Sequence, residues 1–321
     1  MKIIISRKGS DSGKDSGGMA SPILPCGCLC SIPIPYKRGV PYSDIRFGKH
    51  SLDQICRELD SGWKRGFAHL DPDLRFESFA RGKRPKDWRP AFGQSGASAS
   101  HLNNQGVGKG DLFVFFGWFR TTEVIGNKLR FRSDDKGGRH IIYGWLQVEE
   151  VFSVDGRELP NHLQFLREHA HMKFVEEKRN LIYIGTEAGA GVFAKAHDGL
   201  VLTKPGCKRS IWELPSVFQS VYRQPTLTYH KNKEKRWFLD DGQICLKTVG
   251  RGQEFVLDCE KHPRVRDYFL KLIRSVPKEP VLCSHEIPCR RMILGSAKGE
   301  FTVPDGFNDP LPKEIEDLFW K

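Results

Sequence analysis

The chain has 321 residues, enough for one large or two modest domains with a well-developed hydrophobic core. No stretch approaches the roughly 18 apolar residues of a membrane span, and the N-terminal residues MKIIISRKG hold too short an apolar run for a secretory signal. The 51 lysine and arginine residues exceed the 39 aspartate and glutamate residues, giving a formal net charge of +12, which indicates either a solvated basic surface or a polyanionic partner such as nucleic acid or a nucleotide.

Cysteine usage bears on the compartment and on metal binding. Nine cysteines, an odd number, in a chain without a secretory signal predict free thiols and a cytoplasmic location. Cys26, Cys28 and Cys30 form a CGCLC segment, which raises the question of a zinc site. A zinc knuckle needs a second, closely spaced cysteine pair, and Cys283 and Cys289 are too far apart for one. We therefore expect small buried side chains in this segment.

The first quarter of the chain contains a strand, a polar loop, a helix and a turn. Lys2–Ser6 is predicted to be a short strand, and Arg7–Pro25 a loop rich in Gly, Ser and Asp whose N–H groups can cradle a phosphate. Ser51–Leu59 has helical spacing, with its first residue as the N-cap. Phe67–Leu74 is predicted to be a turn.

The most apolar part of the sequence follows a predicted polar loop, residues 88–105. Leu112–Phe119 (LFVFFGWF) is predicted to be a strand buried on both faces, and His140–Val151 its neighbour in one sheet. A polar loop that leads into a buried strand is a common place for a functional site, because the strand fixes the end of the loop. The candidate residues in this loop are Gln94, His101 and Gln105.

Short strands and two more helices make up the rest of the predicted fold. Leu159–Phe174 and Arg264–Arg274 have helical spacing, the second with a clear apolar face. Further predictions are strands at 180–185, 226–230, 244–249 and 254–257, a hairpin from 189–193 and 200–203, a capped turn at 210–215 and a terminal helix at 313–320. The sequence thus predicts an α+β fold with a mixed or antiparallel β-sheet or barrel core and a few peripheral helices. We expect one domain, residues 1–275, and a proline-rich appendage, residues 276–321.

Histidine and aspartate recur in short patterns that suit a metal ion. His69 and Asp71 form an H-x-D pair, and His169 and His171 form an H-x-H pair. In an extended segment alternate side chains point the same way, so each pair can bind one ion. Two imidazoles and a carboxylate with open positions form the ligand set of iron(II) oxygenases, and three ligands with a water equally suit catalytic zinc. The candidate ligands are His69, Asp71, His101, His140, His169, His171 and His230.

A structural role for these histidines is the competing interpretation. H-x-D and H-x-H occur often by chance, and most histidines are hydrogen-bonded at or near the surface. Aromatic residues such as Trp118 are likewise more often part of a core than a base-stacking platform. A serine nucleophile is not indicated, because the sequence contains no G-x-S-x-G motif.

Several ordered blocks resemble the third family of nucleotide-modification-associated domains. They include SRKGSDS, AHLDPDL, WRPAFGQ, SHLNNQGVGKGDLFVFFGWF, HIIYGWLQV, RNLIYIG, SIWELP, TYH and GQEFVLD, and they span roughly residues 1–272. The resemblance implies a protein that acts on bases or nucleotides in association with DNA-modification systems, so we expect DNA rather than RNA as the polymeric partner. The strand pair GDLFVFF and GWLQVEEV is also similar to that of PUA-like barrels, which include readers of modified bases.

Our leading hypothesis is a metal-dependent enzyme that modifies a nucleobase or nucleotide, with Fe(II) as its metal and Zn or Mn as alternatives. The predicted catalytic residues are Gln94, Asp73 and Gln105, and the predicted substrate-binding residues are Ser6, Arg7, Lys8, Asp11 and Trp118. Arg7 and Lys8 are suited to phosphate, and the glutamine amides can read a base edge because each offers a donor and an acceptor. The rival hypotheses are a non-catalytic PUA-like module that binds a modified base and a hydrolase of a nucleotide conjugate.

Overall fold

A computed structural model describes residues 1–13, 17–79, 84–154, 156, 158–173, 178–223, 226–227, 234–248, 254–276 and 313. The chain divides into two compact units, Met1–Pro288 and Cys289–Lys321, and every strand and helix named below belongs to the first. Apart from Val276 and Lys313, the predicted appendage and its terminal helix lie outside the described residues. The predicted domain boundary therefore stays a prediction.

Eighteen strands and three α-helices form in the described residues, so the predicted α+β class is confirmed. The strands are β1 (Lys2–Arg7), β2 (Ser21–Ile23), β3 (Ile34–Pro41), β4 (Arg46–Phe47), β5 (His50–Ser51), β6 (Phe67–His69), β7 (Ala91–Gln94), β8 (Leu112–Ile125), β9 (Lys128–Phe131), β10 (Arg139–Gln147), β11 (Glu150–Ser153), β12 (Leu181–Ile184), β13 (Ala190–Val192), β14 (Ile211–Leu214), β15 (Thr226–Leu227), β16 (Trp237–Asp240), β17 (Gln243–Lys247) and β18 (Glu254–Asp258). The helices are α1 (Leu52–Leu59), α2 (Gly96–Asn104) and α3 (Pro263–Arg274). None of the helices among the described residues has the length and hydrophobicity needed to cross a membrane.

The largest sheet is built around β8, the strand predicted from LFVFFGWF. Its order is β13-β10-β8-β1-β18-β15, and β2 and β9 also pair with β8. β1 runs parallel to β8, whereas β10 is antiparallel to β8 and β18 is antiparallel to β1, so the sheet is mixed. The predicted pairing of the two apolar runs is confirmed by the β8–β10 ladder. Among the described strands, β13 and β15 lie at the two ends of this order, so the sheet is open and does not close into a barrel.

Both faces of β8 are covered, which explains its unbroken run of buried residues. On one side Phe113 and Phe115 contact Phe92 of β7, with ring centroids 4.9 and 5.0 Å apart. On the other side the ring of Phe116 lies 4.8 Å from that of Trp212 in β14. The sheet β11-β12-β7 thus covers one face and the sheet β14-β17-β16 the other. We call these the β7 face, which bears Phe113 and Phe115, and the β14 face, which bears Phe116.

Two predicted helices are confirmed by the structure. Ser51 caps α1 with a capping box, in which its side chain accepts from the N–H of Gln54 and the Gln54 side chain accepts from the N–H of Ser51. In α3, Val265 and Phe269 are buried on the predicted apolar face. The CGCLC segment also follows expectation, because Cys28 and Cys30 are buried in a second apolar cluster that includes residues of α1.

The segment 88–105, predicted to be a loop, contains β7 and α2. Ala91, Phe92 and Gly93 are buried because β7 pairs with β12 beneath the central sheet. α2 buries only Ala99 and Leu102, so its apolar pattern is too sparse to be recognised in the sequence. This correction places Gln94 at the end of a strand.

Three other predictions were wrong for local reasons. The helix predicted at 159–174 is replaced by two 3-10 helices, Asn161–Glu168 and Ala170–Lys173, because His169 between them has an extended backbone. The predicted hairpin does not form: β13 pairs with β10, and Val201 forms a bridge with Ile141 of the same strand. The capped turn at 210–215 is the strand β14, in which buried and half-buried residues alternate.

The segment predicted as one strand from His140 to Val151 is two strands. β10 belongs to the central sheet and β11 to the sheet of β12 and β7. Between them the N–H of Val148 donates to the carbonyl of Asp111, and the N–H of Glu149 donates to that of Ile184. The chain therefore changes sheets at these two residues, which brings the β11-β12-β7 sheet against the central one.

Candidate metal centre

His69 and Asp71 enter the site from the end of β6. A bridge between Asp73 and Ala91 joins this segment to β7. The N–H of Gly93 in β7 then donates to Asp71 Oδ1 at 2.6 Å. These contacts hold the Asp71 carboxylate beside the imidazole of His69, with 3.9 Å between His69 Nε2 and Asp71 Oδ2.

His171 is oriented by Asn180, the residue that precedes β12. The Asn180 Nδ2 group donates to the His171 carbonyl at 2.8 Å, and Asn180 Oδ1 lies 2.8 Å from His171 Nδ1. Because Oδ1 is the acceptor end of the amide, His171 must donate from Nδ1–H. This hydrogen bond selects the tautomer whose lone pair is on Nε2, as partners of metal-bound histidines commonly do.

His69, Asp71 and His171 form a group whose candidate ligand atoms all lie within 4.8 Å of one another, the one such group of three or more in the described part of the chain. His171 Nε2 lies 3.7 Å from Asp71 Oδ2. Ligands of a tetrahedral zinc ion, each about 2.1 Å from the metal, are about 3.4 Å apart. The three side chains therefore need only a small contraction to bind one ion, and all three are buried.

His169 approaches the same carboxylate from its other oxygen. His169 Nε2 lies 3.6 Å from Asp71 Oδ1. The N–H of His171 donates to His169 Nδ1 at 3.3 Å, so a neutral His169 ring carries its proton on Nε2. His169 therefore presents an N–H group to the Asp71 carboxylate and has no lone pair on Nε2 to offer to an ion.

Burial sets the protonation states of this cluster. It lowers the pKa of His69, His169 and His171, to about 4 for His171, and it raises the pKa of Asp71 to about 6. At neutral pH the three imidazoles are neutral and the carboxylate is ionised. These are the states that a divalent cation requires of its ligands.

Lys8 and Glu254 border the cluster from the central sheet. Lys8 Nζ lies 3.7 Å from Glu254 Oε1 and 4.6 Å from the centroid of the Phe92 ring. Gln94, a predicted catalytic residue, donates from Nε2 to the same Glu254 oxygen at 2.8 Å. The charge of Lys8 adds to burial in lowering the pKa of His171, so Lys8 acts on the cluster electrostatically. Glu254 is buried, and its Oε2 accepts no hydrogen bond from the described residues.

Asp73 has a different partner from Asp71. Arg84 donates to both oxygens of the Asp73 carboxylate, from Nη2 to Oδ1 at 2.7 Å and from Nη1 to Oδ2. The guanidinium also stacks on the rings of Phe79 and Trp88, 4.5 and 4.4 Å from their centroids. Asp73 is therefore held in a bidentate ion pair and fixes Arg84 next to the site.

The three polar residues at the end of β1 alternate between the faces of the central sheet. Ser6 is paired with Phe115 and so belongs to the β7 face, whereas Arg7 is paired with Phe116 and belongs to the β14 face. Lys8 returns to the β7 face, where it contacts Phe92. Of the predicted phosphate-binding pair, only Lys8 lies on the same side of the sheet as His69, Asp71 and His171.

The other predicted residues of the β14 face form a separate group. Arg7 makes an ion pair with Asp11 at 2.6 Å. Trp118 and His140 are register partners in β8 and β10, and His140 Nδ1 accepts from Trp212 Nε1 at 2.9 Å. The structure thus places Asp11, Trp118 and His140 across the central sheet from His69 and Asp71.

Of three further predicted residues, two lie apart from the group of His69, Asp71 and His171, and one cannot be placed. His101 is in α2 and Gln105 is the C-cap of that helix, and neither belongs to the group of His69, Asp71 and His171. His230 lies outside the described residues.

The sequence patterns did not single out Gly93, Asn180, Glu254 or Arg84. Gly93 had a detectable signal, because an isolated glycine within a strand often marks a close approach by another group. A Cβ added there would overlap the His171 ring. The other three depend on contacts between segments far apart in the chain, for which a single sequence carries no local signal.

Comparison with protein families gives one result. The family model described as nucleotide modification associated domain 3 matches residues 2–258. The chain belongs to this family. Nucleotide modification associated domain 3 thus spans His69, Asp71 and His171 and ends with β18, the last strand of the central sheet in sequence. Membership links the protein to nucleotide modification and to a nucleotide or nucleic acid substrate. Comparisons with curated proteins and with solved structures gave no match.

Proposed function

We propose that this protein is a metal-dependent enzyme that modifies a nucleobase or nucleotide, with His69, Asp71 and His171 as the metal ligands. The observation that carries the proposal is the convergence of two imidazoles and one carboxylate, buried and within 4.8 Å of one another, in a chain of the nucleotide modification associated domain 3 family. Buried carboxylates and imidazoles at such distances are costly unless they are paired or bind an ion.

The ligand chemistry favours Fe(II), with Zn and Mn as alternatives. Two histidines and one carboxylate that leave other positions open are typical of iron(II) oxygenases, and the same set with a water suits catalytic zinc. Such an ion supplies activation of dioxygen or of water near a bound substrate. A cavity of about 60 Å³ has Asp71, Pro72 and Tyr143 in its lining, which is room for a few water-sized molecules at about 10–15 Å³ each.

The protein's own groups have defined parts in this proposal. Asn180 orients the His171 ring, and Gly93 both binds the Asp71 carboxylate and leaves space for that ring. His169 faces the second oxygen of Asp71. Lys8 provides a half-buried positive charge on the same side of the sheet, paired with Glu254. With the positive net charge of the chain, this favours an anionic substrate, and we propose DNA or a deoxynucleotide.

Mass spectrometry of nucleosides tests the proposal. The protein is loaded with Fe(II), Mn(II) or Zn(II), incubated with duplex DNA, single-stranded DNA or the four deoxynucleotides, and the products are digested to nucleosides. We expect a nucleoside of altered mass that requires one metal and is absent with His171→Ala. The variant His162→Ala is the control, because His162 is exposed and paired with Glu150. Failure of every metal and substrate to give a product, or a product unaffected by His171→Ala, would overturn the proposal.

A further inference from the structure

A cavity of about 400 Å³ opens beside the candidate metal centre. Its inner wall includes the buried residues Ala91, Asp73 and His169, the last of which faces Asp71. At the outer end Pro85 and Glu168 are exposed. The cavity therefore leads from solvent to the wall of the candidate metal centre.

Aromatic side chains line this cavity in fixed positions. Phe79, Trp88 and Phe165 belong to its wall. Arg84, which is held by the carboxylate of Asp73, lies over one face of Phe79 and one face of Trp88, so a base would stack where Arg84 leaves these rings open. An aromatic surface of this kind suits a nucleobase, because stacking on an aromatic side chain is favourable for every base.

Besides Arg84, which is paired with Asp73, two further cations line the cavity. Arg89 Nη2 lies 3.0 Å from Glu150 Oε2, and Lys173 Nζ lies 3.6 Å from Glu168 Oε2. Glu168 is 85% exposed, and exposed ion pairs of this type contribute little to stability. Lys173 can therefore exchange its carboxylate partner for phosphate at small cost, whereas Arg89, in a half-buried pair, is already held at the cavity wall.

The size of the cavity limits the ligand. Sites for small ligands have volumes of about 300–1,000 Å³, so 400 Å³ matches one nucleotide. A base within a duplex cannot enter such a cavity unless it leaves the stack.

We infer that this cavity binds a single nucleotide unit, its base against the aromatic wall of Phe79, Trp88 and Phe165 and its phosphate at Arg89 and Lys173. The unit is either a free nucleoside monophosphate or one nucleotide extruded from a strand. The inference rests on the proposed function for its identification of the ligand as a nucleotide, but it does not require that a metal be bound.

Binding measurements with defined probes test the inference. Isothermal titration calorimetry compares the four deoxynucleoside monophosphates with the corresponding deoxynucleosides. We expect at least one monophosphate to bind about tenfold more tightly than its nucleoside, and Trp88→Leu to weaken binding of both by about tenfold. Lys173→Met should reduce the preference for the monophosphate, because Arg89 is then the one remaining proposed phosphate ligand. Lys109→Met is the matched control, because Lys109 is also in an exposed ion pair, with Glu149, but does not line the cavity.

Two additional measurements separate the outcomes. The first uses a single-stranded DNA of five nucleotides. If it binds more tightly than the monophosphates and loses this affinity in Trp88→Leu, the ligand is a nucleotide within a strand. If it binds more weakly than the monophosphates, the ligand is a free nucleotide, and both results support the inference. Metal content is measured in every variant. Nucleotide binding that depends on Trp88 in a protein without metal supports the cavity and contradicts the proposed enzyme. Affinities that are unchanged in both Trp88→Leu and Lys173→Met, or no binding of any probe, would overturn the inference even if metal is present.

Discussion

Gly93 and His171 are in direct contact, and the imidazole occupies the space where any other residue at position 93 would place its Cβ. The same glycine donates its N–H to Asp71 Oδ1 at 2.6 Å. One position of β7 therefore determines where two of the three proposed ligands lie. This explains how a strand without any ligand of its own can organise the cluster.

Gly93→Ala should displace the His171 ring, because the added methyl group overlaps it. We expect the affinity for Zn(II) or Fe(II), measured by competition with a chelator, to fall by at least about tenfold, as small displacements of a ligand do. Gly66→Ala is the control, since a Cβ there contacts nothing within 4 Å. Equal metal affinity in the two variants would show that His171 is not a ligand.

Asn180→Leu removes both hydrogen bonds to His171 while it keeps a buried side chain of similar size. Loss of such a partner typically lowers metal affinity by about 10- to 100-fold, and we expect a loss in this range. Asn180→Asp retains the acceptor for Nδ1–H and should lose less. The ¹⁵N chemical shifts of the His171 ring should report Nδ1–H in the wild type and a mixture of tautomers in Asn180→Leu. An unchanged tautomer would contradict the assigned role of Asn180.

The stability of the metal-free protein should fall as the pH falls from about 6.5 to about 4. Burial lowers the pKa of His69, His169 and His171 from an ordinary value of 6.5, so as the pH falls the unfolded chain takes up protons at these three positions before the folded chain does. Burial raises the pKa of Asp71 from 3.8 to about 6, so the folded chain binds one proton that the unfolded chain does not. The unfolded state therefore binds up to two more protons, three at the histidines less one at Asp71, and acidification favours it by up to about 3 kcal/mol per pH unit.

Urea denaturation at a series of pH values measures this dependence. In His169→Leu one of the three histidines is missing, so the slope of stability against pH should be smaller than in the wild type. A metal-free protein that becomes more stable over the same acidic window would show that proton uptake by Asp71 outweighs that of the histidines.

Ser51→Ala should lower the free energy of unfolding by about 1 kcal/mol, because it removes the capping bond to the N–H of Gln54. Ser61→Ala, at an exposed position outside any helix, serves as the control. Thermal or urea unfolding measures both variants. Identical stability would mean that the capping box contributes nothing to the domain.

Features determined by neighbouring residues were predictable from the sequence. The capping box at Ser51 and the apolar face of Arg264–Arg274 depend on residues within one or two helical turns. The burial of Leu112–Phe119 on both faces follows from an apolar run that cannot leave either face in water. The H-x-D and H-x-H pairs were visible for the same reason, since each lies within three residues.

The convergence of those pairs was not predictable. It depends on β7, which joins the segment of Asp71 through the Asp73–Ala91 bridge and pairs with β12 directly after Asn180. The residues of β7 were themselves predicted to be part of a loop.

The faces on which Arg7 and Lys8 lie were also not predicted. The two residues are adjacent in sequence, but strand geometry directs their side chains to opposite sides of the central sheet.

The central claim is that His69, Asp71 and His171 bind one divalent metal ion, and metal analysis tests it most directly. Inductively coupled plasma mass spectrometry is applied to wild-type protein, His69→Ala, His171→Ala and His101→Ala, each purified without chelator and shown to be folded by circular dichroism. We predict about one equivalent of iron, zinc or manganese in the wild type and in His101→Ala, and almost none in the other two variants. A wild-type protein without metal, or metal retained in both His69→Ala and His171→Ala, would contradict the claim.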